Sequence, residues 1–303
     1  MEKIKHKMFP KETTTSAEKA WENLTLANNF IFCKVMMNKE LCKKVLSEIL
    51  GEEVIKIEYP EYEKVIQARY DSKSIRLDVY LQSDDKTVYN IEMQNINNDN
   101  IPKRGRYYQD LIDLDLMEKG ANYKELNRSI IIFICTFDLY GLDCYKYTFD
   151  NKCDEISGLK YGDETTKIII NTQGTKGKVT DELKDFLSAV NGRFSNSVFS
   201  DKIKEEIEKV KRSKDMKREY LAMYFHEEDI REEAKKEGKI EGKIEGKIEV
   251  IIGLLSDLGQ VSEELKNKLY SQRDLKVLSE WVKFAAKSKT IEEFMEKIST
   301  SVD

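Results

Sequence analysis

The hydrophobic and polar positions along the chain predict a mixed α/β part followed by a long helical part. Apolar residues recur at helical spacing between positions 20 and 50, and Gly51 follows as a natural helix end. Pro102 fits the first position of another helix, which we expect to run to about Lys119. From Asp181 onward the sequence is almost entirely amphipathic helix, so we place a domain boundary near Ser200.

Several segments between these helices have strand patterns instead. A nearly unbroken apolar run, SIIIFICTF at residues 129–137, is typical of a strand covered on both faces. Shorter strands are expected at residues 54–59, 145–149 and 167–171. Two runs that alternate apolar and polar residues, joined by a polar turn, occupy residues 75–94. The predicted order is therefore helix, three strands, helix and strand.

Each of the two alternating runs carries a carboxylate. Side chains of a strand alternate between its faces, so Asp78 lies on the polar side of the first run. In the second run Asn90, Glu92 and Gln94 point to one side. A hairpin loop of three residues, 84–86, would place Asp78 directly opposite Glu92, whereas a two-residue loop would place them on opposite faces. The register of the hairpin therefore decides whether a site can form.

A carboxylate pair in this arrangement would need a counter-charge. Two carboxylates about 5 Å apart on one sheet face repel each other unless a proton or a cation separates them. Oxygen ligands without a nearby His or Cys favour a hard ion, so the pair predicts a Mg²⁺ or Mn²⁺ site. The alternative interpretation is that Asp78 and Glu92 are solvent-facing residues of an amphipathic hairpin, paired with Arg76 or Lys86.

Composition narrows the chemistry and the compartment. The 303 residues include 51 basic and 56 acidic side chains, a net charge of −5, so any nucleic-acid binding must be local. No apolar run approaches the ~18 residues of a membrane span, and residues 1–15 lack the apolar segment of a secretory signal, so we expect a cytoplasmic protein. The five cysteines form no CxxC pair and are expected to be reduced core residues. With only two histidines, catalysis would depend on carboxylates.

Two short motifs resemble a nuclease signature. The dipeptide LD at 77–78 and the tripeptide EMQ at 92–94 resemble the PD-(D/E)xK signature in a variant with Gln in place of Lys. Together with IPKRGRYYQDLID, IIIFICTFDLYG and an EGK-type repeat, they are similar to the Rpn family of recombination-promoting nucleases, also described as transposases. The resemblance implies an α/β fold with a restriction-endonuclease-like αβββαβ core, a mixed sheet and an all-helical C-terminal region. We expect a flexible N-terminus at 1–19, a nuclease-like domain at 20–200 and helices at 201–303.

The family resemblance also implies a function: a metal-dependent DNA endonuclease that hydrolyses phosphodiester bonds. The family name connects such an activity with recombination or DNA mobility. Asp78 and Glu92 would hold Mg²⁺ or Mn²⁺, the Met93 carbonyl would add a ligand, and Gln94 would orient the water. Gln94 cannot supply the positive charge of the lysine in relatives, so slow or strongly metal-dependent turnover is expected. Family members often carry an acidic residue at the position of Asn29. The asparagine would weaken binding of the ion and so reduce the activity of the enzyme.

Basic residues crowd the start of the helix that follows Pro102. Backbone N–H groups at a helix start favour anions, so guanidinium groups there would grip phosphate, and Arg104 is the strongest candidate because the resemblance also places an arginine there. In the alternative interpretation Tyr107, Leu111 and Leu114 form a core stripe, and the basic residues are its solvated face. The candidate DNA phosphate contacts are Arg76, Lys103, Arg104, Arg106, Tyr108 and Gln109.

Residues 237–248, EGKIEGKIEGKI, repeat every four residues. On a helix this period makes columns of like residues, and the column of Ile240, Ile244 and Ile248 is flanked by glutamates on one side and lysines on the other. Two parallel helices would bring glutamates against lysines, so we predict a homodimer through these isoleucines. The alternative is a solvated connector, since each glycine weakens the helix by about 1 kcal/mol.

Three functions are compatible with these features. The first is the Mg²⁺-dependent DNA endonuclease with a dimerising tail. The second is a catalytically attenuated DNA-binding protein, in which Asn29 and Gln94 mark lost activity. The third is an oligomerisation or scaffold protein that acts mainly through its helical C-terminus. DNA is the expected partner of the first two, and no membrane is expected.

Overall fold

The computed structural model describes residues 11–58, 61–66 and 75–300. The chain divides into two compact units, with the division between Leu221 and Ala222. This division lies beyond the boundary placed near Ser200 from the sequence. Residues 198–212 form a helix that contacts residues 29–36 of the first unit, so they belong to it.

The first unit contains most of the strands and helices predicted from the sequence. Its elements are α1 (Lys11–Asn23), α2 (Asn29–Met36), α3 (Lys39–Leu50), β1 (Glu61–Ile66), β2 (Ile75–Gln82), β3 (Val88–Gln94), α4 (Ile101–Leu116), a short 3-10 helix (Tyr123–Glu125), β4 (Ser129–Cys135), β5 (Lys146–Asp150), β6 (Thr165–Asn171), α5 (Asp181–Val190) and α6 (Val198–Arg212). Helix α7 (Lys214–Ser256) begins in this unit and ends in the second, which also contains α8 (Glu263–Ser271), α9 (Leu275–Lys287) and α10 (Ile291–Thr300).

The six strands form one mixed sheet in the order β1-β2-β3-β4-β6-β5. Strands β1, β2 and β3 are antiparallel, β3, β4 and β6 are parallel, and β5 is antiparallel to β6. Helix α4 makes the crossover between parallel β3 and β4, as such a connection requires. Every residue of β4 is buried, as its apolar run predicts. The predicted αβββαβ core with a mixed sheet is therefore confirmed.

Helix α4 covers one face of the sheet closely. Gly105 favours this approach, because a Cβ atom at its position would lie 3.3 Å from Cε2 of Phe133, closer than an ordinary van der Waals contact. The core of this layer includes Tyr80, Tyr108, Leu111, Ile112, Ile131 and Phe133. Leu114 is 63% exposed, so the buried stripe of α4 is not the one that the sequence analysis considered.

Two predicted boundaries differ from the structure. Residues 54–58 form no strand apart from one bridge between Ile57 and Ser83, and the strand that pairs with β2 begins at Glu61 instead. Helix α1 begins inside the segment predicted to be flexible, because buried Trp21 anchors it against the rings of Phe30 and Tyr220. Residues 1–10 lie outside the described residues.

The β2–β3 hairpin has the three-residue loop on which the site depends. The backbone N–H of Ser83 donates to the carbonyl of Thr87 at 2.9 Å, which leaves residues 84–86 as the loop. Lys86 has φ +67°, the left-handed conformation that closes such loops. The register pairs Val79 with Ile91, and therefore sets Asp78 opposite Glu92.

The second unit uses the isoleucine column for its own core. Ile244 and Ile248 are 3% and 1% exposed, and they pack with apolar residues of α8, α9 and α10 such as Leu269, Trp281 and Phe294. Ile240 is 50% exposed. The predicted role of the column in a homodimer is corrected for Ile244 and Ile248, because their side chains are already buried within the chain. The column looked available because its intramolecular partners lie later in the sequence.

Gly242 lies in a part of α7, residues 229–243, where every side chain is exposed. A Cβ atom added there would meet nothing within 4 Å. Gly242→Ala is therefore expected to stabilise this helix by roughly 0.5–1 kcal/mol, which would slow local amide hydrogen exchange about two- to fivefold. Gly51→Ala is the control, because Gly51 has φ +77° at the end of α3 and the change should speed exchange there. Unchanged exchange around residue 242 would contradict the prediction.

The cysteines and the helices test two further expectations from the sequence. Cys33, Cys42 and Cys135 are buried as predicted, whereas Cys144 and Cys153 are partly exposed. Burial raises the pKa of Cys42 and that of Cys135 to about 12. Among the helices of the described residues, none combines the length and apolarity needed to cross a membrane.

Candidate active site

The two carboxylates replace part of the hydrogen bonding between β2 and β3. The backbone N–H of Asp78 donates to Oε1 of Glu92 at 3.1 Å, and the backbone N–H of Met93 donates to Oδ2 of Asp78 at 2.9 Å. Regular pairing between the two strands begins one residue later, at Val79 and Ile91. Asp78 and Glu92 therefore lie side by side where these strands diverge.

This pair is buried, which excludes the interpretation of a solvent-facing amphipathic hairpin. Asp78 is 8% exposed and Glu92 is 2% exposed. Burial, and next the charge of Asp78, hold the pKa of Glu92 well above its usual range, although the Asp78 backbone N–H and Arg104 act in the opposite direction. Two neighbouring buried carboxylates favour either a proton retained on one of them or a cation bound between them.

Arg104, from the first turns of α4, brings a positive charge next to the pair. Its guanidinium donates to Oε1 of Gln94 at 3.1 Å and lies 3.5 Å from Oε2 of Glu92. The same group lies 5.3 Å and 5.4 Å from the ring centres of Tyr108 and Phe133. Gln94 brings no charge itself, but it sits beside a residue that does. The sequence marked Arg104 as a phosphate contact and did not reveal this contact with Gln94.

Helix α2 contacts the site through Asp78. Nδ2 of Asn29 donates to Oδ1 of Asp78 at 3.4 Å, and Sγ of Cys33 donates to the Asp78 carbonyl at 3.3 Å. Asn28 caps the helix by accepting from the backbone N–H groups of Phe30 and Ile31. The cap fixes the start of α2, and so it fixes Asn29 next to Asp78.

Asn90 is a buried neighbour of the pair, and the sequence alone did not reveal a role for it. It lies on β3 two residues before Glu92 and is 0% exposed. Neither Nδ2 nor Oδ1 of Asn90 makes a hydrogen bond to another residue of the described chain. Its carboxamide nevertheless acts to lower the pKa of Glu92, so it lies close to that carboxylate. The alternation of β3 already placed it on the face of Glu92 and Gln94.

The predicted DNA phosphate contacts fall into three groups. Lys103 and Arg106 are exposed and Arg104 is partly exposed, so their charges can be reached from solvent. Tyr108 and Gln109 are 9% and 5% exposed, which corrects their assignment as phosphate contacts. Tyr108 packs on Phe133, and Gln109 hydrogen-bonds Ser129 and Asp113. The side chain of Arg76 lies outside the described residues.

Comparison with known proteins agrees with this arrangement. The family model of the PD-(D/E)XK nuclease family transposases matches residues 28–240, well over half of the chain. The chain belongs to this family. The matched region of this PD-(D/E)XK protein includes α2, the β2–β3 hairpin and α4, which together form the site. No significant match to a curated protein or to a solved structure was found.

The donor set of this PD-(D/E)XK site consists of oxygens. Two buried carboxylates converge, and the Met93 carbonyl belongs to the residue whose N–H bonds Asp78. The two side-chain donors, Asn29 and Arg104, are bonded loosely at 3.4 and 3.5 Å, so a cation could displace them. Throughout the described ranges, no cluster of three or more His, Cys, Asp or Glu residues is arranged to hold a metal. Oxygen donors of this kind are those that a hard divalent ion prefers, and the site brings two carboxylates together to serve as anionic ligands.

Proposed function

We propose that this protein is a Mg²⁺- or Mn²⁺-dependent DNA endonuclease, with Asp78, Glu92 and the Met93 carbonyl as cation ligands. One observation supports this most directly: two carboxylates are buried side by side. Each disfavours the ionised form of the other unless a cation neutralises their charge. Such an ion would polarise the scissile phosphate and make a water more acidic. A role in recombination or DNA mobility would follow from the family.

The remaining residues have roles that their positions support. Hydrolysis forms a P–O bond to the oxygen of water and breaks a bridging P–O bond, which leaves an alcohol and a phosphate monoester. The Gln94 amide can orient the attacking water. Arg104 stands beside Gln94 with a charge that can stabilise the phosphate in the transition state. Lys103 and Arg106 are exposed on the same helix and can position the DNA backbone.

The test is cleavage of supercoiled plasmid by the full chain with Mg²⁺, with Mn²⁺ and with a chelator. Nicked or linear product is expected with either ion and none with the chelator. The same protein, titrated with Mg²⁺ in the absence of DNA, should show binding and a raised unfolding temperature, because a ligand that binds only the folded state stabilises it. Cleavage that persists in the chelator, or no binding of either ion, would contradict the proposal.

A catalytically attenuated DNA-binding protein is the second candidate. The observation that favours it is Asn29, an amide that donates to Asp78 where an acid would have added a third anionic ligand. In that case DNA binding would survive in a gel-shift assay without cleavage. Asn29→Asp would then be expected to restore Mg²⁺-dependent nicking.

A further inference from the structure

Asn90 lowers the stability of the folded state in its present surroundings. It is fully buried, and both polar atoms of its side chain lack partners in the part of the chain that the structure describes. A buried amide whose polar atoms are unpaired destabilises the folded state. Its register neighbours are Ile131 on β4 and Tyr80 on β2, both members of the apolar core, so an aliphatic residue would suit the packing. Packing alone therefore gives no reason for an asparagine.

Glu92 is surrounded by more donors than its carboxylate uses. Oε1 accepts from the backbone of Asp78, but Oε2 lies 3.5 Å from Arg104, longer than the 2.7–2.9 Å usual for a charge-assisted bond. Nε of Arg104 is also buried and has no hydrogen-bond partner among the described residues. Two unused donors therefore lie beside a carboxylate with only one short hydrogen bond. We take this as the ligand-free state of the site, whose hydrogen bonds shorten when a ligand binds.

We propose that Asn90 is a positioning residue for Glu92: its Nδ2–H group hydrogen-bonds the Glu92 carboxylate and fixes its orientation when the carboxylate pair holds a divalent cation. Asn90 suits this task because it is neutral. Arg104 can also bond Glu92, but its positive charge opposes a cation at the same carboxylate. Partners that orient a metal-ligating carboxylate typically contribute 10- to 100-fold to metal affinity. This inference rests on the proposed function.

The experiment measures Mg²⁺ affinity calorimetrically, together with the unfolding temperature in chelator, for the full chain. Asn90→Leu is expected to weaken Mg²⁺ binding by about tenfold or more. Its unfolding temperature without Mg²⁺ should equal or exceed that of the wild type, because the unpaired amide is removed. A purely structural role would give the opposite pattern. Asn90→Ala, which cannot overpack the site, should show the same loss of affinity.

Gln109→Leu is the matched control. Gln109 is a buried amide on α4 itself, and its Oε1 is likewise unpaired within the described chain. Its hydrogen-bond partner Ser129 lies on β4, four residues before Phe133, and these two residues are therefore roughly 13 Å apart. Phe133 is the register neighbour of Glu92, so Gln109 is remote from the carboxylate pair. Mg²⁺ affinity should be unchanged in this variant.

The possible results separate the two proposals. Wild-type affinity in both Asn90 variants, or an equal loss in Gln109→Leu, would overturn the role of Asn90 and leave the proposed function standing. A wild-type chain that binds neither Mg²⁺ nor Mn²⁺ would overturn the proposed function, and the inference with it.

Discussion

Glu92→Gln is expected to reduce Mg²⁺-dependent plasmid cleavage by at least about 100-fold, because the change removes one of two buried anionic ligands, and even outer partners of a metal ligand contribute 10- to 100-fold. The glutamine keeps the size of the side chain and can still accept from the backbone N–H of Asp78. Loss of activity should therefore come without loss of folding. Gel quantification of nicked plasmid over time, with far-ultraviolet circular dichroism of both proteins, measures the two effects.

The same substitution has a consequence for stability that is independent of catalysis. In the metal-free protein the folded-state pKa of Glu92 is raised by burial and by Asp78, above the ordinary value of about 4.3. Between these two pKa values the folded state holds a proton that the unfolded state has released. Stability contributed by that proton is present below pH 4 and is lost as pH rises to the folded pKa. Each pKa unit corresponds to about 1.4 kcal/mol.

Glu92→Gln should remove this decline with pH, and Mg²⁺ should reduce it in the wild type, since a cation favours the ionised carboxylate. Urea denaturation at several pH values, in chelator and in Mg²⁺, measures both effects. Glu118→Gln is the matched control, because Glu118 is exposed just beyond α4 and should retain wild-type cleavage and pH dependence. Full cleavage by Glu92→Gln would mean that the carboxylate pair is not the active site.

The hairpin shows how much of the site the sequence could predict. Alternation along β3 placed Asn90, Glu92 and Gln94 on one face, and the three-residue loop set Asp78 opposite Glu92 as expected. Alternation also suggested that this face of β3 is polar and exposed to solvent. In the structure α4 covers it, and a local pattern cannot show which helix will cover a strand. Burial, and with it the raised pKa of Glu92, depended on that packing.

Arg104 illustrates a second limit. Pro102 placed the start of α4, so a basic residue near the site could be predicted from position alone. Its contact with Gln94 depends on how closely α4 approaches the sheet, and a Cβ atom at Gly105 would press against Phe133 there. Such a distance follows from tertiary packing and has no signature in the spacing of residues.

The helical unit allows a test of whether the isoleucine column serves the core or a dimer. Ile248→Ala is expected to destabilise this unit by about 2–5 kcal/mol, because the side chain is 1% exposed and its removal leaves a cavity beside α8, α9 and α10. Ile240→Ala is the matched control from the same column. It is 50% exposed, so the change should alter stability by no more than about 0.5 kcal/mol.

Trp281 makes the measurement specific, because it is buried in the same core and the only other tryptophan is Trp21. In a Trp21→Phe background, urea unfolding followed by fluorescence reports on the helical unit alone. A core role predicts that the loss in Ile248→Ala is the same at low and high protein concentration. A dimer held by the column would instead give a midpoint that rises with concentration in the wild type and loses that dependence in both variants. Because Ile244 and Ile248 already have partners within the chain, we expect the first result.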